Sequence, residues 1–357
     1  MTRAAPVHEP CIGIVANPVS ARDIRRIVAN AGNLQITDRV NIVLRVLSAA
    51  AACGVKRALV MPDRGGIRAL LERHLKRGDA TMPAIEFLDM NPTSTVEDTF
   101  TATRLLQRAG VAAIAVLGGD GTHRAVVREM ATGNGMLPIA GLSTGTNNAF
   151  PEMREPTITG MALGLYASGR ISAAEALAPN KLIEVRIDDA AGGPGRSDVA
   201  IVDAVITHDR SVGARALWKT QSLDAAYLAF AEPQAIGLSS IGGLLQPVGR
   251  RESGGLAVQL AHDPRHVLLT LHAPIAPGMV LPVPIASWQR MVADEPLLAT
   301  ASAGTVALDG ERELGFAAGQ SVHLTLRENA FFTLDVARCM AVAARDGLLR
   351  DLPSPTH

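Results

Sequence analysis

The chain has 357 residues, enough for two domains with separate cores, and its 34 Lys and Arg balance 34 Asp and Glu. Zero net charge excludes an electrostatic case for nucleic acid or an anionic membrane surface as partner. No apolar run reaches the length of a membrane span and residues 1–10 lack the apolar core of a signal peptide, so a cytoplasmic protein is expected; Cys11, Cys53 and Cys339 form no metal or redox pair by spacing and read as small core residues.

Residues 12–16 form an apolar strand that stops at Asn17-Pro18-Val19-Ser20. Pro18 cannot extend a sheet ladder, and Asn17 can close a turn with its own side chain. Two readings stay open: a turn and no more, or a loop at a sheet rim with Ser20 and Arg22 facing a phosphate. Helical spacing follows over 21–30 and again over 38–53, where Gly54 ends it; then come a strand at 59–61, a helix at 66–77 and a strand at 85–88. Ser94 with Glu97 three residues on is a candidate capping box for a helix running to 108.

The continuous apolar run 112–117 has the pattern of a strand buried on both faces, and it stops at Gly118-Gly119-Asp120-Gly121-Thr122, where a helical pattern opens. A carboxylate therefore sits in a glycine turn at the carboxyl end of a strand, which is where open α/β sheets bind ligands. The glycines let the backbone take positive φ and let an anion approach the amides closely, with the helix N-terminus adding favourable potential. The alternative is an ordinary strand-to-helix turn with Asp120 as N-cap. His123, directly after the turn, invites a catalytic reading, but a helix N-terminus disfavours imidazolium and it reads foremost as a first-turn helix residue. A further strand at 137–142 runs into the loop 143–151, whose hydroxyl and amide side chains suit ribose, phosphate or a carboxamide, or serve a plain loop. Alternating strands and helices predict a doubly wound, mostly parallel sheet.

From about Lys181 the pattern becomes mostly β, with strands expected at 182–187, 199–207, 256–261, 267–271, 305–307 and 322–326. A helix is expected at 222–230, an exposed turn at 189–198, and a small, flexible loop at 237–243 that could line a pocket. Asp309-Gly310-Glu311 is foremost a hairpin signal. The apolar, alanine-rich helix at 334–348 needs a surface to bury itself on and is expected to return to the first domain.

The five residues Gly118 to Thr122 match in full the signature shared by the NAD kinases and the diacylglycerol and sphingoid lipid kinases. Asn17-Pro18 with Ser20 resembles the opening strand-end motif of that superfamily, and Gly145-Thr146 with Asn148 and Phe150 resembles the lipid kinases' Gly-Thr-Gly-Asn-Asp-Phe. Asn147 stands where that motif has its second Gly, and Ala149 where it has Asp. The phrases 17–26 and 143–151, with Val212-Gly213-Ala214-Arg215-Ala216 and the Ser239-Ser240 loop, look most like the acetoin-catabolism protein X group, which is classed with the ATP-NAD kinases.

The resemblance implies an α/β fold of NAD kinase type: an N-terminal doubly wound, Rossmann-like nucleotide domain over 1–178, joined by 328–357, and a C-terminal β-rich substrate domain over 179–327. It further implies phosphoryl transfer from ATP or polyphosphate to the adenosine 2′-hydroxyl of NAD, and commonly a homo-oligomer. Asp120 is the expected catalytic residue. Asn17, Ser20, Gly118, Gly119, Gly121, Thr122, Thr144, Gly145, Thr146, Asn147 and Asn148 are expected to bind nucleotide or phosphate, with Ser239, Ser240, Asp309 and Glu311 as weaker candidates. Mg²⁺ is expected to arrive with the nucleotide, with Asp120 as a candidate ligand, and no fixed structural metal is expected. Two other functions compete: a nucleotide-binding regulator of catabolism with weak catalysis, and a lipid kinase with an apolar cleft in the β domain.

Overall fold

A computed structural model of the chain describes residues 9–18, 35–76, 81–131, 136–144, 148–151, 155–189, 195–208, 222–276 and 278–350, the side chains of 311–313 excepted. The helix expected over 21–30, Ser20, Arg22, Gly145, Thr146, Asn147, residues 212–216 and the Glu311 side chain lie outside the described residues.

The first half builds five strands, β1 (Cys11–Val15), β2 (Arg57–Val60), β3 (Ala84–Phe87), β4 (Ile114–Gly118) and β5 (Ile139–Ser143), all parallel and ordered β3-β2-β1-β4-β5. Among the described residues five helices accompany them: α1 (Ile36–Ala52), α2 (Ile67–Leu75), α3 (Glu97–Ala109), α4 (Asp120–Ala131) and α5 (Pro156–Ala167). Helices on both faces explain why β4 is buried along its whole length. Its alternate residues serve two cores: Ile114 and Val116 pack with Leu106, Val126 and Val127, whereas Ala115 and Leu117 pack with Val43, Leu47 and Leu163. Because the chain proceeds from β1 toward β2 and from β4 toward β5, the order reverses between β1 and β4. In open α/β sheets a reversal of this kind places the ligand crevice at the carboxyl ends of the two strands, here β1 and β4.

After the short helix α6 (Ala173–Ala176), β6 (Leu177–Asp189) and β7 (Arg196–Ala200) extend this sheet, with the late strand β16 (Gln320–Leu334) between β5 and β6 and β13 (Pro296–Leu298) paired to β16. A second, seven-stranded sheet has the order β11-β12-β10-β9-β8-β14-β15. Its strands are β8 (Asp203–Thr207), β9 (Leu223–Leu228), β10 (Gly255–Leu260), β11 (Leu269–Ala276), β12 (Met279–Met291), β14 (Gly304–Leu308) and β15 (Glu311–Phe316), and α7 (Ser239–Leu245) packs against it. The last helix, α8 (Val336–Arg345), buries Val336, Cys339, Val342 and Ala343 in the same core as α1 and α5, so the chain returns to its first half. Among the described residues no helix is long and apolar enough to cross a membrane.

Several local expectations are corrected. The segment expected as a helix over 222–230 is β9, paired on one side with β8 and on the other with β10; two sheet partners outweigh the helix preference of its leucines and alanines. The single strand expected over 199–207 is two strands in different sheets, with the crossing at Ile201 and Val202. Asp198, assigned to an exposed turn, is buried on β7. The flexible loop expected over 237–243 contains most of α7, whose residues 239–243 are buried. Ser94 does not cap α3: it has φ 63°, and the Asp98 carboxylate takes the amides of Thr93 and Ser94, each at 2.7 Å. Strand β12 was hidden by Pro282 and Pro284, which lie opposite β11 before the pairing with β10 begins at Ile285. The Asp309-Gly310 turn does form a hairpin, with φ 49° and 84° at its two central residues, the left-handed pair that matches strand twist.

Candidate active site

Strand β4 delivers Gly118 and Gly119 to the crevice, and α4 begins at Asp120. None of Gly118, Gly119 and Gly121 uses the positive φ that glycine permits. These glycines are demanded by the chain's own packing. A Cβ on Gly118 would lie 2.5 Å from the Thr122 side chain, and one on Gly119 would lie 2.8 Å from Asn148 Oδ1. Thr122 and Asn148 thus fold over the turn from α4 and from the loop after β5.

That second loop holds the carboxylate. The amide of Ala149 donates to Asp120 Oδ2 at 3.0 Å and the amide of Phe150 to Oδ1 at 2.9 Å. Both oxygens are therefore fixed by main chain, in an acidic position at a helix N-terminus where negative charge is favoured. The Asn148 amide donates to Ser143 Oγ at 2.9 Å, and the Thr144 amide donates to the Gly118 carbonyl at 3.3 Å. Gly118, Gly119, Asp120, Thr122, Thr144 and Asn148 consequently form one constellation.

Arg250, which sequence reasoning missed, anchors the same loop from the second half. Its Nη1 donates to the Phe150 carbonyl at 2.8 Å and its Nη2 to the Ala149 carbonyl, while Nε pairs with Glu232 at 3.3 Å and the guanidinium lies 4.3 Å from the centre of the Phe230 ring. The two residues whose amides hold Asp120 are thus held through their carbonyls by one planar cation. Lys181 in turn holds the arginine's own loop: its buried Nζ donates to the carbonyls of Gly249 at 3.0 Å, Glu252 at 2.7 Å and Gly254 at 2.7 Å. Burial draws the lysine down to about 8. Neither residue is near Asp120 in sequence, so no local pattern could have found them.

One turn beyond Asp120, buried Arg124 reaches the second half as well, 3.5 Å from Asp198 and 4.0 Å from Asp309; Arg128 pairs with Asp198 at 3.2 Å. Their i, i+4 spacing along α4 was the available signal. Asp309 does not line the crevice. Its side chain is fully buried and accepts from the amides of Ile201, Val202 and Asp203 at 2.8–3.1 Å, the donors left without a ladder where the chain changes sheets. Burial and the Asp203 carboxylate push Asp309 up to about 8, against Arg124 and the Ile201 amide. Such a group binds its proton more tightly folded than unfolded, so the stability it contributes is complete below 3.8 and is lost as pH rises through about 8. Between those limits the melting temperature of the wild type is expected to fall relative to that of Asp309→Asn. A difference that stays constant or grows in the wild type's favour over this window contradicts that assignment.

The other candidates are placed elsewhere. Asn17 is buried, and its amide donates to the Thr95 carbonyl at 2.9 Å and to Thr99 Oγ1 at 3.2 Å, tying the β1 loop to the start of α3. Ser239 and Ser240 are buried in α7, where Ser240 Oγ donates to the Gly237 carbonyl at 2.6 Å. His123 is fully buried, with its ring on Phe150 at 5.6 Å; burial pushes it down to about 4, and its Nδ1 donates to the Gly119 carbonyl at 2.9 Å as a neutral imidazole. It packs the turn and stays uncharged at neutral pH.

Residues 12–171 match the ATP-NAD kinase N-terminal domain, and residues 181–329 match the acetoin catabolism protein X C-terminal domain. Acetoin catabolism protein X of Cupriavidus necator is 59% identical over 349 residues, covering 97% of this chain and 96% of the relative. The chain belongs to the acetoin catabolism protein X family. Family membership, with a kinase-type N-terminal domain, makes it a kinase-like, nucleotide-binding protein. Among solved structures, yeast NADH kinase complexed with NADH shares the fold, at TM-score 0.50 and 12% identity over 99% of this chain and 95% of that one. A putative diacylglycerol kinase from Bacillus anthracis str. Sterne aligns at TM-score 0.48 and 13% identity, over 91% and 96% of the two chains.

Proposed function

We propose that this family member is a phosphotransferase that moves a phosphoryl group from ATP or polyphosphate to the adenosine 2′-hydroxyl of NAD, giving NADP. The observation that carries the reading is the Asp120 carboxylate, held by two main-chain amides at the mouth of the β1/β4 crevice. Phosphoryl transfer asks a protein for alignment and charge stabilisation more than for covalent chemistry. Two amide donors do not exhaust a carboxylate's acceptor capacity, so Asp120 orients the 2′-hydroxyl and takes its proton as the oxygen bonds to phosphorus and the bond to the leaving nucleotide or polyphosphate breaks. The start of α4, with Gly119, Gly121 and Thr122, supplies positive potential for phosphate. Asn148, with Gly145, Thr146 and Asn147, contacts the dinucleotide, Ser20 is a further candidate phosphate contact, and Asn17 acts by fixing the end of β1 through its bonds to Thr95 and Thr99.

The donor set fits Mg²⁺: the Asp120 carboxylate, the Ser143 and Thr122 hydroxyls and the Asn148 carbonyl are hard oxygens, and this ion is commonly held by one carboxylate plus substrate phosphates. Bound with the nucleotide, Mg²⁺ neutralises charge on the transferring group. In this reading residues 1–178 with 328–357 bind nucleotide and 179–327 form the facing wall, with Arg124, Asp198 and Asp309 bonding the two across α4.

The test is incubation of purified protein with NAD, Mg²⁺ and either ATP or polyphosphate, followed by an enzymatic assay for NADP. NADP formed in proportion to protein supports the proposal. Nucleotide binding without NADP, under conditions where an authentic NAD kinase turns over, replaces it with the regulator.

A further inference from the structure

Away from the crevice, three residues that no local pattern links meet at one end of the second sheet. His208 follows β8, Asp224 lies on β9 and His262 stands two residues beyond β10. Asp224 Oδ1 is 3.2 Å from His208 Nδ1 and 2.7 Å from His262 Nε2, and the three donor atoms all lie within 4.8 Å of one another. The two rings meet edge to face, with centroids 5.1 Å apart. The backbone is shaped to make this happen. On β9, Ala225 pairs with Ile206 and Leu223 with Thr207, so Asp224 is the extra residue of a β-bulge, half-buried between the buried Leu223 and Ala225. Bulges re-aim single side chains, and this one brings a carboxylate to two imidazoles just past the ends of the flanking strands.

We infer that His208, Asp224 and His262 form a binding site for a divalent transition-metal ion of the Zn²⁺ class, with water as the remaining ligand. Donor atoms around a tetrahedral Zn²⁺ with bonds near 2.0–2.1 Å are separated by about 3.3 Å; the two carboxylate–imidazole pairs stand at 3.2 and 2.7 Å, and all three donors lie within 4.8 Å of one another, so small side-chain rotations suffice. Two imidazoles and one carboxylate are the donors that zinc accepts when one position stays open. Neutral imidazoles suffice: each ring keeps its proton on the nitrogen facing away, His208 on Nε2 and His262 on Nδ1, so the ion takes the place of two N–H donors without net loss of a proton from either ring. The three side chains are between 21% and 50% exposed, which gives an ion access from solvent. The site is separate from the proposed chemistry. Asp309 is bonded to the Asp203 amide at the other end of β8, and five residue steps of strand place His208 about 16 Å from it. An ion here clips the ends of three adjacent strands, β8, β9 and β10.

The test uses the full chain, with any affinity tag removed and metal stripped by a chelator, titrated with Zn²⁺ against a chromophoric chelator. One equivalent per chain with micromolar or tighter affinity is expected, together with a Zn²⁺-dependent rise in melting temperature and, with Co²⁺, visible absorption bands of a low-coordinate site. Asp224→Asn, His262→Ala and His208→Gln are each expected to weaken that equivalent by at least about tenfold and to remove the Co²⁺ bands. The substitutions lie on three different segments, so if one fails to fold the other two carry the comparison. Absence of a stoichiometric equivalent in the wild type overturns the inference, as does an equivalent whose affinity survives these substitutions.

Discussion

Asp120→Asn is expected to lower NADP formation by about a thousandfold, within the range by which a positioned proton acceptor accelerates transfer. The carboxamide keeps the shape of the side chain but loses the charge that orients the hydroxyl and accepts its proton. It also meets a local problem that only the structure reveals. The carboxylate takes one amide on each oxygen, from Ala149 and from Phe150, and a carboxamide can accept on one side alone. Its NH₂ group therefore faces an N–H donor, and the loop 148–151 loosens at a cost of about 1–3 kcal/mol. Turnover and thermal melting measured together separate the effects: the fold persists with a modest drop in melting temperature while turnover collapses. Turnover near that of the wild type would remove Asp120 from the reaction.

Arg250→Met is the second large effect, expected to cost about tenfold to a hundredfold in kcat with little change in nucleotide binding, because misplacing a reacting group by an ångström is worth that much. Methionine retains much of the volume beside Phe230 but makes neither bond to the carbonyls of Ala149 and Phe150. Arg250→Lys is not expected to rescue it, since one ammonium cannot reproduce a planar fork that spans two carbonyls and stacks on a ring. Lys181→Met, which leaves three carbonyls of the 249–254 segment without their shared donor, is expected to give the same kcat deficit and to destabilise the chain by roughly 3 kcal/mol. Because both residues act through one loop, the double variant should lose little more activity than the worse single one. Losses that multiply would show that Arg250 and Lys181 act independently, and a deficit seen only in nucleotide affinity would make Arg250 a binding residue.

The two variants reach the same carboxylate by different routes, which separates what can be read along the chain from what cannot. The strand at 112–117, the turn at Gly118 to Thr122 and the alternation of strands and helices before Lys181 were legible because each is a local pattern: a continuous apolar run, a cluster of small residues, a change of hydrophobic period. The return of the last helix was legible from the need to bury an apolar face. The meaning of the glycines was not. They admit Thr122 and Asn148 to the turn without any left-handed backbone, and that depends on which side chains arrive there.

In the second half local preference misled, at β9 and at the sheet crossing at 201–202, because a strand's neighbours decide its conformation there and those neighbours come from distant parts of the chain. The amide pair on Asp120, the fork of Arg250, the three carbonyls on Lys181 and the meeting of His208, Asp224 and His262 are of the same kind. Hydrogen bonds and metal ligands act over about 3 Å whatever the sequence separation. By itself the sequence determined the family, the parallel sheet and the acidic glycine turn. The tertiary structure alone decided what holds that carboxylate, because the partners lie about 30, 60 and 130 residues away and only the packing of two sheets brings them within bonding distance.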